Sequence, residues 1–135
     1  MNKRDTHEIE KVQRFITKRV DGCTCLNYNA RLSKLQLPSL ELRREYFDLT
    51  TCHKLLHKTM RSNCSEQLTL RKSSTRGHQY KLVAKKSAQE IRNRFFTERI
   101  VNTWNNLPTV VAEEIDQYRF KHALRKHLHI SYIAY

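Results

Sequence analysis

The chain has 135 residues, enough for one domain or two small subdomains and too few for an elaborate multidomain enzyme. Twenty-six Lys and Arg oppose thirteen Asp and Glu, and the resulting +13 at pH 7 favours a polyanionic partner, nucleic acid first and an anionic membrane surface second. No run approaches the roughly 18 apolar residues of a bilayer span, and Met1-Asn2-Lys3-Arg4-Asp5 opens into charged helical sequence, so the expectation is a nuclear or cytoplasmic protein that is neither secreted nor bound to a membrane.

Two glycines and two prolines are too few turn formers for a sandwich or barrel, which implies a mainly α fold. The first helix is expected from Asp5 to Val20, with Ile9, Val12, Phe15, Ile16 and Val20 on one stripe and Asp5 and Glu8 at capping-box spacing, before Gly22 stops it. A shorter helix over Asn29 to Gln36 offers Leu32 and Leu35, and Pro38 ends that run. Ser39 is placed to cap a third helix in which Leu42, Tyr46, Leu49, His53 and Leu56 form a packing face, with Arg44, Thr51, Lys54 and Lys58 opposite.

From about Met60 to Lys86 the apolar residues thin out, and Arg71, Lys72, Arg76, Lys81, Lys85 and Lys86 meet almost no acid. Weak alternation over Gln67 to Arg71 and Gln79 to Val83 allows one short β-hairpin through Ser74 to His78. Helical pattern resumes with Ser87 and Glu90 at capping-box spacing and runs through Ile91, Phe95, Phe96, Ile100, Val101 and Trp104 to Leu107-Pro108. Phe95 and Phe96 cannot both face one core, so a break is expected near them. Asp116 is placed to cap a last helix with Phe120, Ala123, Leu124 and Leu128 buried and Lys121, Arg125, Lys126 and His129 wet.

Two-metal chemistry needs carboxylates holding ions about 3.5 to 4 Å apart, whereas Asp5, Asp21, Asp48 and Asp116 stand isolated and read as caps, turns or solvated residues. His53 and His57 are one helical turn apart with Cys52 and Cys64 near them and Cys23-x-Cys25 upstream, yet the spacing fits no common zinc finger. His53 reads as a core histidine hydrogen-bonded at its edge, and the cysteines as free thiols, Cys52 and Cys64 acting as small hydrophobes. Neither a Cys-His hydrolase arrangement nor a glycine-rich phosphate loop is visible, so no catalytic residue, metal, cofactor or small-molecule substrate is expected.

The basic stretch is the constellation with a destination. Arg76, followed by Gly77, can bring guanidinium and backbone donors to a phosphate, and Lys81, Lys85, Lys86, Arg92 and Arg94 extend the contact. His78 and Tyr80 offer rings on which a base can stack, while Trp104, Phe95 and Phe96 read as core.

Four stretches in order carry a resemblance. Glu10-Lys11-Val12-Gln13-Arg14, Leu35-Gln36-Leu37-Pro38-Ser39-Leu40-Glu41-Leu42-Arg43-Arg44, Ser74-Thr75-Arg76-Gly77-His78, and Phe95-Phe96 through Arg99-Ile100-Val101-Asn102-x-Trp104-Asn105-x-Leu107-Pro108, with Phe120-Lys121 beyond, resemble the C-terminal region of reverse transcriptases of non-LTR, LINE-type, jockey-like retrotransposons. The resemblance implies thumb-type helices followed by a basic extension that grips RNA or DNA, with Gln13, Arg14, Arg43, Arg44, Arg76, His78 and Arg99 as contact positions and Trp104, Leu107 and Pro108 as structural residues. It departs from that pattern at Gln36, where glycine is common, and in a short segment between Leu56 and Ser73. The catalytic aspartate pair of such an RNA-directed DNA polymerase lies upstream of the matching region, so the expected chain is catalytically silent alone.

The combined expectation is a small helical bundle with an irregular basic connector: a thumb-like segment over residues 1–59, the connector over 60–87 and a C-terminal helical segment over 88–135. Its function would be backbone binding of RNA or DNA. The alternative is a protein-interaction module that docks to a missing polymerase palm or another protein, or an inactive remnant of a decayed element.

Overall fold

The computed structural model describes residues 3–57, 68–71, 77–83 and 95–130. Six helices form among them: α1 (Lys3–Lys18), α2 (Tyr28–Leu35), α3 (Leu40–Leu56), α4 (Phe96–Asn105), α5 (Thr109–Ala112) and α6 (Gln117–His127). The fold is therefore mainly α. The chain divides into two compact units, Met1–Glu45 with Arg125–Tyr135, and Tyr46–Leu124.

Helix ends follow local chemistry. Asn27 accepts the Ala30 N–H at 2.8 Å to start α2, Ser39 Oγ accepts from Leu42 at 3.2 Å to start α3, and Asp116 Oδ1 accepts from Arg119 at 2.8 Å to start α6; each satisfies an N–H that the first turn leaves orphaned. At the end of α2, Gln36 turns left-handed with φ 53°, and Leu37 N–H then reaches back to Leu32 O at 2.9 Å. That backbone region is one where glycine alone is unstrained. α4 begins at Phe96 behind an extended, exposed Phe95, so the helix starts where two adjacent aromatics demanded a break. The Ser87–Glu90 capping box lies outside the described residues. The short α5, not anticipated from the residue pattern, forms because Pro108 O accepts from both Val111 and Ala112.

The first unit is held chiefly by polar contacts. Glu10, only 7% exposed, accepts a short hydrogen bond from Tyr28 Oη and another, at 3.1 Å, from the Leu40 N–H. Gln13 Nε2 donates to Pro38 O at 3.0 Å, and Arg31 donates to Thr17 Oγ1 at 3.3 Å and to Leu26 O at 2.7 Å. α1 thus seats a polar face inward. Its apolar residues Ile9, Val12, Phe15 and Ile16, and Val20 just past its end at Lys18, face water at 37% to 58% exposure.

The second unit has a conventional apolar core. Tyr46, Leu49, Cys52, His53 and Leu55 of α3 are buried, as are Ile100, Val101 and Trp104 of α4, Val111 and Ala112 of α5, and Phe120 and Leu124 of α6. His53 lies stacked on Phe120 with ring centroids 4.1 Å apart and hydrogen-bonds Glu114 O through Nε2 at 2.8 Å, a core histidine bonded at its edge. Its buried Nδ1 has no hydrogen-bond partner among the described residues.

Candidate nucleic-acid interface

The basic connector enters the second unit as a pinned ribbon. Leu70 and Leu82 form an isolated antiparallel bridge, flanked by Arg71 N–H to Lys81 O at 2.6 Å and Val83 N–H to Thr69 O at 2.8 Å. No β-strand forms among the described residues, so the alternating pattern yields a single rung here. Leu82 is 2% exposed, whereas Leu70 and Arg71 face water.

Four side chains staple this ribbon to the core. Asn105 clasps the Leu82 backbone from both sides, its Oδ1 accepting from N–H at 2.8 Å and its Nδ2 donating to C=O at 2.9 Å. Trp104, fully buried, donates from Nε1 to Tyr80 O at 2.7 Å. His78 Nε2 bonds Trp104 O at 3.1 Å, and Glu113 accepts from the Gln79 N–H at 3.0 Å. Because a carbonyl only accepts, the His78 proton sits on Nε2, leaving Nδ1 as a buried lone pair without a partner among the described residues. Gly77 makes the turn possible: its φ is 109°, and a Cβ there would meet Lys81 Cε and Nζ at 3.0 Å. The Lys81 stem therefore crosses directly over the Gly77 backbone.

The structure sorts the candidate contact residues. Arg14 is exposed, its guanidinium 4.5 Å above the Tyr28 ring. It lines a cleft of about 430 Å³ together with Glu10 and Glu41, whose carboxylates make that cleft a poor seat for phosphate. Arg43, Arg44 and Lys81 are half-buried. Arg76, Lys85, Lys86, Arg92 and Arg94 lie outside the described residues.

Three of the candidate residues are engaged within the fold. Gln13 is spent on the Pro38 carbonyl inside the first unit. Arg99 makes a bidentate pair with Asp48, at 2.8 Å through both Nε and Nη2, so its fork is committed to a carboxylate rather than offered to phosphate. His78 is 1% exposed and meets Trp104 edge-on; it cannot stack on a base, and burial pulls its pKa below the ordinary histidine value, partly offset by the bond to Trp104 O, so it carries no charge toward a polyanion at neutral pH. Tyr80 is half-buried beside His57, ring centroids 5.3 Å apart.

Asp48, Asn105 and Glu113 act here as positioning residues and were not singled out as such in the residue pattern. Asn105 alone left a trace, as part of the Trp104-Asn105-x-Leu107-Pro108 run. Among the described residues no three His, Cys, Asp or Glu side chains converge as a metal site, and no helix is long and apolar enough to cross a membrane. Comparisons with protein-family models, with curated proteins and with solved structures find no match to this chain.

Proposed function

We propose that this chain grips the phosphate backbone of RNA or DNA, as the thumb and basic extension of a non-LTR retrotransposon reverse transcriptase would, and acts as a binding element without catalysis of its own. The observation that carries the reading is the charge between residues 54 and 94. Lys54, Lys58, Arg61, Arg71, Lys72, Arg76, Lys81, Lys85, Lys86, Arg92 and Arg94 stand there against Glu66 and Glu90 alone. A segment so one-sided carries far more cations than acids, and condensed ions are released from a nucleic acid when it binds.

Two structural features support the reading. The ribbon carrying Arg71 and Lys81 is stapled by Trp104 and Asn105, which lowers the entropy cost of holding cations in place. Gln36 adopts the left-handed backbone that a glycine at the corresponding family position would take without strain.

The mechanism is phosphate neutralisation with little base readout. Fluorescence anisotropy with labelled RNA and RNA–DNA duplexes tests it: if four to six phosphates are engaged, the logarithm of affinity falls with the logarithm of salt at a slope of about 3 to 5, from roughly 0.7 to 0.9 per contact. Arg71→Glu lowers affinity for all sequences alike, and Arg99→Ala changes it far less. Binding that ignores salt refutes the mechanism.

The water-facing stripe of α1 favours a second reading, a protein-contact module, which uses a different set of residues.

A further inference from the structure

The last helix carries a charged surface that the basic connector does not use. From Gln117 to the C-terminus the chain has Arg119, Lys121, Arg125 and Lys126 and no Asp or Glu. At 3.6 residues per turn, Tyr118, Arg119, Lys121 and His122 of α6 fall on one arc, opposite the buried Phe120 and Leu124. Tyr118 is 79% exposed, Arg119 and His122 are exposed, and Lys121 is half-buried. No hydrogen bond, ion pair or ring contact engages these four side chains among the described residues, in contrast to Arg99 on Asp48.

The arc is fixed from behind. Phe120 and Leu124 are fully buried, and the Phe120 ring stacks on His53 with centroids 4.1 Å apart and lies 6.0 Å from Trp104. Turning α6 to hide its outer residues would pull Phe120 out of that core, so ring and cations are held outward before any ligand arrives. The acids nearest in sequence are occupied with backbone N–H groups: Glu113 with Gln79, Glu114 with Asp116, and Asp116 with Arg119.

We infer that Tyr118, Arg119, Lys121 and His122 form a contact for single-stranded nucleic acid, in which an unpaired base stacks on the Tyr118 ring and the flanking phosphates meet Arg119 and Lys121. Lys121 and His122 follow Tyr118 by three and four residues, neighbours at about 5 to 6 Å on a helix, so one nucleotide reaches both the ring and a cation. The strand must be unpaired, because a base inside a duplex already spends its faces on its neighbours. An anionic bilayer fits less well: a helix lying on a membrane inserts its apolar side, and that side of α6 is buried against His53 and Trp104. An acidic protein surface would pair with the cations and leave the Tyr118 ring idle. The inference rests on the proposed function for its partner class, and it adds a strand preference and a site outside residues 54–94.

Fluorescence anisotropy of the full chain with a labelled single-stranded RNA of about 12 nucleotides and with an RNA–DNA duplex tests it. Tyr118→Ala is expected to weaken single-strand binding at least about five-fold, the loss of one stacked base, with the salt slope unchanged; Tyr118→Phe keeps the ring and binds as the parent does. Arg119→Ala lowers the single-strand salt slope by about 0.7, one phosphate contact. Duplex binding is unaffected by Tyr118→Ala, and all three variants melt as the parent does because these side chains face water. Salt-dependent duplex binding with a Tyr118→Ala variant that still holds the single strand like the parent overturns this contact and leaves the backbone reading standing. Single-strand binding that needs the Tyr118 ring, with duplex binding that ignores salt, supports this contact and overturns the backbone reading. Tyr118→Phe as weak as Tyr118→Ala, an equal loss on duplex and single strand, or binding only to phosphatidylserine vesicles also overturns this contact.

Discussion

Replacing Asn105 by Ala tests whether the clasp on Leu82 holds the basic ribbon to the second unit. The substitution removes two hydrogen bonds, at 2.8 and 2.9 Å, each worth about 0.5 to 1.5 kcal/mol net. It also strands the peptide groups of a residue that is 2% exposed, so the cost is expected at the upper part of the sum, about 2 to 3 kcal/mol. Asn105→Asp is expected to be no better: the carboxylate keeps an acceptor for the Leu82 N–H but turns a second oxygen toward the Leu82 carbonyl. Asn106→Ala, at the exposed neighbouring position, is the control and should stay within about 0.5 kcal/mol of the parent. Urea denaturation reads the difference as a shift of the midpoint at constant slope. If Asn105→Ala unfolds where Asn106→Ala does, the clasp contributes nothing and the ribbon is held by other means.

Four further outcomes follow from the packing. His53, His57 and His78 are all held below the ordinary histidine pKa by burial; their neutral forms are the folded ones, so stability is full above about pH 6.5 and falls below it, by at most about 1.4 kcal/mol per pH unit for each histidine, and denaturation midpoints flat from pH 7 to 5 would contradict this. Gln36→Gly relieves a left-handed backbone at φ 53° and should stabilise by roughly 0.5 to 1 kcal/mol, seen as a raised thermal midpoint. Glu10→Ala strands the Tyr28 hydroxyl and the Leu40 N–H and should cost about 2 to 3 kcal/mol, with amide exchange accelerating at the start of α3. Arg99→Ala and Asp48→Ala break a partly exposed pair and should each cost about 1 kcal/mol, with a double-mutant cycle recovering a coupling near that size.

The caps were legible without coordinates. Ser39 and Asp116 start helices where their positions said they would, because an N-cap bonds an N–H three residues away and depends on nothing distant. His53 as an edge-bonded core histidine was equally readable from the stripe of α3, and the break at Phe95-Phe96 from two aromatics that cannot share a face. α1 shows where that kind of reading ends. Its period identifies a helix correctly, but which side turns inward depends on partners at Tyr28, Arg31, Pro38 and Leu40, and these satisfy Glu10, Gln13 and Thr17 so fully that the polar side is the seated one. The same holds for the cations. A count of charges cannot separate Arg99, whose carboxylate partner stands 51 positions earlier in the chain, from Arg71 on the ribbon surface. His78 and Trp104, 26 apart, read as a base platform and a core residue until the fold makes both of them core. Helical period and capping act over a few residues and are written locally, whereas burial and ion pairing depend on long-range partners that only folding brings together.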